Sequence, residues 1–98
     1  MPVYVDNSTE YPTSRMDGHT RRWGSLWSHM WCDPGEEARL HEIAQLIGLR
    51  RSYFQDNPRH PHYDVIPSKR ALAINAGAMP MEFREWLKQR GTIDADRY

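Results

Sequence analysis

Short stretches of apolar and β-branched residues predict the β-strands of this chain. Val3-Tyr4-Val5 runs into turn-forming residues, as expected for a strand followed by a turn. Residues 26–32 place alternate side chains on opposite faces and carry apolar groups on both, which is typical of a central strand. A further strand is predicted at Tyr63 to Val65, within an extended path between two prolines.

Three segments have the spacing or the end signals of helices. Over residues 33–48, apolar side chains recur at three- and four-residue steps, Asp33 is placed to cap the start, and a glycine closes the end. A second helix is predicted from Ser68, as its cap, to Ala76. A third is predicted over residues 80–90.

These elements predict one small α/β domain over residues 1–98, with about three strands and about three helices packed against them. Turn-forming and basic residues without a steady period predict a long loop over residues 8–24. Residues 92–98 are polar and are expected to form a frayed tail.

The formal net charge is zero, from 13 Lys and Arg against 13 Asp and Glu. A neutral protein has no global cationic field to attract a nucleic-acid backbone, so a long duplex partner is disfavoured. The basic residues are nevertheless concentrated ahead of the acid-containing tail. A local basic pocket would suit a small anionic ligand.

Cys32 is the single cysteine. A single cysteine excludes an intramolecular disulfide, and it excludes a zinc site built from several thiolates of one chain. The protein is therefore expected in a reducing compartment. The N-terminus lacks the pattern of a signal peptide, and no apolar run approaches the ~20 residues of a membrane span. We therefore expect a cytoplasmic protein with no membrane partner.

Residues 60–70 hold the densest group of side chains that can bind ligands or move protons. In chain order these are His60, His62, Tyr63, Asp64, Ser68, Lys69 and Arg70. The last three fall at a predicted helix start, where backbone N–H groups without intrahelical partners attract anions. Their hydroxyl, ammonium and guanidinium groups would strengthen such a site.

Three residues elsewhere are candidates for the same site. Asp6 follows the first strand, at the kind of strand end where α/β proteins collect ligands, although an Asx turn would look the same. His29 lies on the second predicted strand, where it can transfer protons or pack in a core. Gln55 can present its amide to a ligand, and it also suits an ordinary surface position.

An ordered set of short segments resembles the pattern of a known family. The segments are Val3-Tyr4-Val5-Asp6, Trp23-Gly24, Ser28-His29-Met30, Leu40-His41-Glu42-Ile43-Ala44, Ile47-Gly48-Leu49, Tyr53-Phe54-Gln55, His62-Tyr63-Asp64, Ser68-Lys69-Arg70-Ala71-Leu72-Ala73 and Gly77-Ala78. From Val3 to about Met79 the chain resembles a small uncharacterised family of bacteria and their phages, domain of unknown function 4031. The resemblance adds weight to the candidate residues within these segments and implies no activity.

Our leading hypothesis from the sequence is a binding domain for a small phosphorylated or nucleotide-like ligand. The helix start would hold the anionic group, and an aromatic ring would stack on the rest of the ligand. A solvated Lys-Arg pair at a helix start is the alternative. The sequence identifies neither the ligand nor a cofactor. The residues assigned to ligand binding are Asp6, Gln55, Tyr63, Ser68, Lys69 and Arg70.

A second hypothesis is a phosphoester hydrolase or nuclease with His62, His29 and Asp64 as catalytic residues. A metal-dependent version would use Asp6, His62 and Asp64. Two potential ligands two residues apart are common by chance, so we rank that version below plain acid–base chemistry and assign no metal ligand. No His-Glu-x-x-His motif, Gly-rich phosphate loop or Gly-x-Ser-x-Gly elbow is present.

A third hypothesis is a non-catalytic interaction protein. Trp23, Trp27 and Trp31 would form its contact surface for a host protein or for a second copy of the chain. Tryptophan is a frequent anchor of interfaces and also a frequent core residue. The unpaired edges of a small sheet favour self-association into a homodimer.

Overall fold

The computed structural model describes residues 2–10, 25–58 and 60–89. Trp23, most of the loop predicted over residues 8–24 and the tail predicted over residues 92–98 lie outside the described residues. The described chain forms a mixed sheet with three α-helices, which confirms the α/β class. None of the helices in these ranges has the length and apolar character needed to cross a membrane.

The sheet is built around its longest strand, β3. The strands are β1 (Val3–Val5), β2 (Thr9–Glu10), β3 (Leu26–Cys32), β4 (Tyr63–Val65) and β5 (Met79–Pro80). β1 and β4 both pair antiparallel with β3 and both reach Met30, so they flank β3 on opposite sides. β5 runs parallel to β1, and β2 pairs antiparallel with the first half of β3. The central position predicted for residues 26–32 is confirmed.

Within the described ranges the sheet has five strands, where the sequence predicts about three. The two additional strands, β2 and β5, are two residues long each, which is too short to produce an alternating pattern. β2 falls inside the segment predicted as a long loop. Both strands form by hydrogen bonding to backbone N–H and C=O groups of a neighbouring strand. A local sequence pattern does not indicate where such groups lie.

A β-bulge separates β1 from β2 where the chain passes along β3. Val5 pairs with Met30, and Thr9 pairs with Trp27. The chain therefore advances four residues from β1 to β2 while β3 advances three. The extra residue falls opposite Ser28, whose hydroxyl lies 3.0 Å from the Ser8 hydroxyl. Bulges bend a strand, and they are frequent beside active sites because they re-aim side chains.

The helices are α1 (Glu37–Leu46), α2 (Pro67–Asn75) and α3 (Phe83–Gln89), with a 3₁₀ turn at Arg51–Tyr53. The predicted capping role of Asp33 is wrong, because α1 begins without a side-chain cap. The Asp33 carboxylate instead accepts hydrogen bonds from the Tyr4 hydroxyl at 3.1 Å and the Trp86 indole at 2.8 Å. It thereby links the end of β3 to the third helix.

Two other predicted helix starts also change. α2 begins at Pro67 with Ile66 as its N-cap residue, so Ser68 lies inside the first turn and does not cap the helix. Proline at the first helical position is favoured because its missing N–H would have no partner there. Pro80, the predicted start of the third helix, belongs to β5, and α3 begins at Phe83.

The two faces of the sheet are covered differently. One face packs apolar strand residues against α1 and α2, in a core formed by Val3, Val5, Met30, Leu40, Ile43, Ala44, Ile47, Tyr63, Val65, Ala73 and Ala78. The other face is covered in part by α3, through an aromatic cluster of Tyr4, Trp31, Phe83, Trp86 and Leu87. Side chains alternate between the faces along each strand. Asp6, His29, His62 and Asp64 therefore share the second face with the aromatic cluster.

Candidate active site

Asp6 and His29 form a carboxylate–imidazole pair beside the bulge. The backbone N–H of Asp6 donates to the carbonyl of His29 at 3.1 Å. The backbone N–H of His29 donates in turn to Oδ1 of Asp6 at 2.6 Å, and Oδ2 lies 2.8 Å from Nδ1 of the His29 ring. A carboxylate oxygen can only accept, so Nδ1 carries the proton and Nε2 carries the lone pair.

His62 and Asp64 form a second imidazole–carboxylate pair. Nδ1 of His62 lies 2.5 Å from the carbonyl oxygen of His60, so this nitrogen donates and Nε2 faces Asp64, 3.2 Å from Oδ1. The Gln55 amide donates to Oδ2 of Asp64 at 2.5 Å. Gln55 itself is positioned by its backbone bridge to His62. Each ring and carboxylate of this pair is thus oriented by a further group.

Strand pairing brings the two imidazole–carboxylate pairs together. His29 on β3 is the register partner of Asp64 on β4, and His62 shares a face with Asp64 because side chains alternate. The rings of His29 and His62 have centroids 5.1 Å apart and meet edge to face. One ligating atom from each of His29, His62 and Asp64 lies within 4.8 Å of the others.

Of these groups, Asp6, His29 and His62 line a cleft with a volume of about 370 Å³. His60 forms one wall, where its ring packs on Phe83 with centroids 3.7 Å apart. Glu82 and Arg84 bring one acidic and one basic side chain to the rim. The lining residues are Asp6, His29, His60, His62, Glu82, Phe83 and Arg84.

Burial and mutual contacts shift the pKa values of three of these groups. Burial alone would lower the pKa of His62, but its hydrogen bonds to Asp64 and to the His60 carbonyl outweigh burial and raise it. Burial alone would raise the pKa of Asp64, but the hydrogen bond and charge of His62 outweigh it and lower the pKa. His62 and Asp64 therefore favour the ion-paired form.

His60 behaves differently from its neighbours. Burial, followed by the charges of His62 and His29, lowers the pKa of His60 to about 3. At neutral pH its ring is uncharged, and it serves as an aromatic wall between Phe83 and His62. His29 and His62, by contrast, each contact a side-chain carboxylate, Asp6 and Asp64 respectively.

The structure brings together Asp6, His29, Gln55, His62 and Asp64 of the residues predicted for the site, but it places Tyr63 elsewhere. The Tyr63 side chain points to the opposite face of the sheet, where it is fully buried. Its hydroxyl lies 2.8 Å from Nδ1 of His41 on α1. Tyr63 therefore cannot stack on a ligand in this cleft.

The predicted Ser-Lys-Arg anion site at the start of α2 is not assembled with the cleft. Nζ of Lys69 donates to the carbonyl of Ile47, at the C-terminal end of α1, at 2.6 Å. Arg70 donates from Nε to the Asp6 carbonyl at 2.7 Å and from Nη2 to Asn7 at 3.3 Å. Ser68 is exposed in the first helical turn. The two cations contact protein groups and support the fold around the site.

Replacement of Lys69 by methionine is expected to lower the free energy of unfolding by about 1–2 kcal/mol, because it removes a charge-assisted hydrogen bond at a helix C-terminus. Chemical denaturation monitored by circular dichroism measures this change. Lys88→Met is the matched control, since Lys88 is exposed and lies 4.0 Å from Glu85. An equal effect of both substitutions would contradict the structural role of Lys69.

Sequence reasoning did not assign His60, Glu82 or Arg84 to the site. His60 precedes the strand that carries His62, and its role as a wall depends on contact with the distant Phe83. Glu82 and Arg84 flank the first residue of α3, which reaches the second face because β5 pairs with β1. Glu82 and Arg84 have no local signal, and membership of the dense group over residues 60–70 does not indicate the role of His60 as a wall, because long-range packing places all three at the cleft.

The fold and the cleft define a small α/β domain with a histidine–carboxylate site on one face of a mixed sheet. Residues 3–92 match the model of the family described as "Protein of unknown function (DUF4031)", and the chain belongs to this family. The match extends beyond Met79, the limit of the resemblance deduced from the sequence. No curated protein and no solved structure matches the chain.

Proposed function

We propose that this protein binds a small phosphorylated ligand in the cleft and hydrolyses its phosphoester bond. The observation that carries the proposal is the pair of imidazole–carboxylate couples, Asp6 with His29 and Asp64 with His62, whose two rings meet edge to face and line the cleft. Imidazoles oriented by carboxylates recur in general acid–base catalysis, because the carboxylate fixes the tautomer and stabilises the charged ring.

His29 is the proposed general base. Asp6 holds the proton on Nδ1, so Nε2 is the ring nitrogen that can accept a proton from a water molecule in the cleft. As the water oxygen bonds to phosphorus, its proton passes to Nε2 and the ester P–O bond breaks. The released ester oxygen takes a proton from solvent. The half-buried ring of His29 is accessible for this step, with 29% of its side chain exposed.

Positive charge near the phosphate would come from His62 and from Arg84. His62 is held by Asp64 and the His60 carbonyl, so its position is fixed before a ligand arrives. Fixed charges of this kind stabilise a transition state without reorganisation. Arg84 lines the same cleft, and a guanidinium suits phosphate oxygens because it can donate two parallel hydrogen bonds.

The ligand proposed here is the phosphorylated one expected from the sequence, but it binds in the histidine cleft and not at the start of α2. Lys69 and Arg70 are bonded to backbone carbonyls, whereas Arg84 lines the cleft that holds the histidines. A contact surface of tryptophans receives less support, because Trp31 is 1% exposed within the aromatic cluster. The homodimer and the cytoplasmic location stay predictions.

The test is a panel of phosphoesters incubated with the full chain, with and without divalent metal ions. The panel contains nitrophenyl mono- and diesters, nucleotides and a short single-stranded oligonucleotide. We expect turnover by the wild type that His29→Ala lowers by about 10²-fold or more. His41→Ala, on the opposite face of the sheet, is the histidine control and should retain it. Absence of turnover under all conditions, or equal turnover by His29→Ala, would refute the proposal.

A further inference from the structure

The second face of the sheet also carries the components of a metal-ion site. We propose that His29, His62 and Asp64 bind one divalent transition-metal ion through two imidazole nitrogens and one carboxylate oxygen. Their ligating atoms lie within 4.8 Å of one another. Two histidines and one carboxylate are an established ligand set for zinc and for non-haem iron, and they leave coordination positions open for water or substrate.

The spacing of the ligand atoms fits one ion. Two ligands of a tetrahedral ion at bond lengths of ~2.1 Å are about 3.4 Å apart. Nε2 of His62 and Oδ1 of Asp64 are already 3.2 Å apart. The ligand atoms all lie within 4.8 Å of one another, so the His29 ring completes the set with a movement of at most about 1.4 Å, which rotation about its side-chain bonds supplies.

Each proposed ligand is oriented by a second group that does not touch the ion. Asp6 holds Nδ1 of His29, and the carbonyl of His60 holds Nδ1 of His62, so Nε2 is the ligating nitrogen assigned to each ring. The Gln55 amide donates a hydrogen bond to Oδ2, the second carboxylate oxygen of Asp64. Outer partners of this kind are nearly universal around metal-bound histidine, because they fix the tautomer and raise the basicity of the ligand.

The surroundings allow an ion to enter and react. The side chains of His29 and Asp64 are 29% and 38% exposed, whereas His62 is 11% exposed and anchors the inner side of the set. The ion would replace the proton held between His62 and Asp64. With the ion bound, Nε2 of His29 is a ligand and not a base, so in the proposed hydrolysis the ion would supply the positive charge that we assigned to His62 and would activate the attacking water in place of His29. This part of the inference rests on the proposed function, whereas metal binding itself does not.

The site differs from the metal-dependent version considered from the sequence. That version combined Asp6, His62 and Asp64, whereas the structure places Asp6 behind the His29 ring. Asp6 is therefore a positioning residue, and His29 takes its place as a ligand. The exchange follows from the bulge, which directs the Asp6 carboxylate to the backbone and ring of His29.

Metal binding is measured directly, without an activity assay. The full chain is stripped with a chelator, dialysed against Zn²⁺ or Co²⁺, and analysed for bound metal, and the visible absorption of Co²⁺ reports coordination by nitrogen and oxygen. We expect one ion per chain. Gln55→Ala should weaken binding about 10–100-fold as a positioning residue, and Asp64→Asn should weaken it further. His41→Ala should bind like the wild type.

The outcomes separate this inference from the proposed hydrolysis. A wild type that retains no stoichiometric ion overturns the metal site, and this result does not depend on the folding of any variant. Unchanged affinity in folded Asp64→Asn also overturns it. Metal binding without turnover of any phosphoester supports the site and refutes the hydrolase. If the wild type binds no ion and still hydrolyses a phosphoester, the hydrolase is supported and the metal site is refuted.

Discussion

Replacement of Asp6 by asparagine is expected to lower phosphoester turnover by about 10²–10⁴-fold while leaving the protein folded. The asparagine oxygen can still accept the backbone N–H of His29, as Oδ1 of Asp6 does. Its amide nitrogen, however, can only donate to the His29 ring. Nδ1 must then accept, and the ring proton moves to Nε2. A ring in that tautomer can neither take a proton from water nor bind a metal through Nε2.

The tautomer of His29 is observable independently of activity. Nitrogen-15 NMR of the imidazole distinguishes a protonated Nδ1 from a protonated Nε2, and we expect the two to exchange roles in Asp6→Asn. The free energy of unfolding should fall by about 1 kcal/mol or less, because both hydrogen bonds are replaced. Asp56→Asn makes the same chemical change at an exposed position and is the matched control. Unaltered ring signals and turnover in Asp6→Asn would show that Asp6 does not set the tautomer.

Replacement of Trp31 by alanine is expected to lower the free energy of unfolding by about 3–5 kcal/mol. Trp31 is 1% exposed and contacts Tyr4, Phe83 and Trp86, with ring centroids 5.2 to 5.8 Å away. Its loss would leave a cavity between the sheet and α3. A domain of this size is stable by about 5–15 kcal/mol, so one substitution removes a large part of the total.

Denaturant unfolding monitored by far-ultraviolet circular dichroism measures this effect without relying on tryptophan fluorescence. Trp27→Ala is the control, because Trp27 lies on the same face of β3 and is only half-buried. Its effect should be smaller. If Trp27→Ala lowers the free energy of unfolding more than Trp31→Ala does, the aromatic cluster does not join α3 to the sheet. The position of Phe83 beside His60 at the cleft would then have no packing explanation.

The longer elements of the fold were predictable because their periodicity is local. The alternation over residues 26–32 identified the central strand, and the three- and four-residue steps identified the helix that became Glu37–Leu46. The exact first residues of the helices were harder to predict. Asp33 has the identity of a capping residue, but Tyr4 and Trp86 compete for its carboxylate, and both are distant in the sequence.

The candidate site was predictable as a set of chemically active residues and not as an arrangement. Asp6, His29, Gln55, His62 and Asp64 were all named from their residue type and position, whereas His60, Glu82 and Arg84 were not. Tyr63 was grouped with His62 and Asp64 because the three are consecutive, yet a strand sends consecutive side chains to opposite faces. Lys69 was assigned to an anion, although the end of a neighbouring helix supplies a carbonyl for its ammonium.

The longer strands and helices, the neutral charge and the chemistry available near His62 follow from the sequence alone, because they depend on residue type and local spacing. The pairing of β3 with β1 and β4 depends on long-range contacts that no local pattern encodes. That pairing sets His29 between Asp6 and Asp64, brings the rings of His29 and His62 into contact and places α3 over the same face. Side chains from four separate parts of the chain become one cleft because backbone hydrogen bonding across the sheet fixes their register.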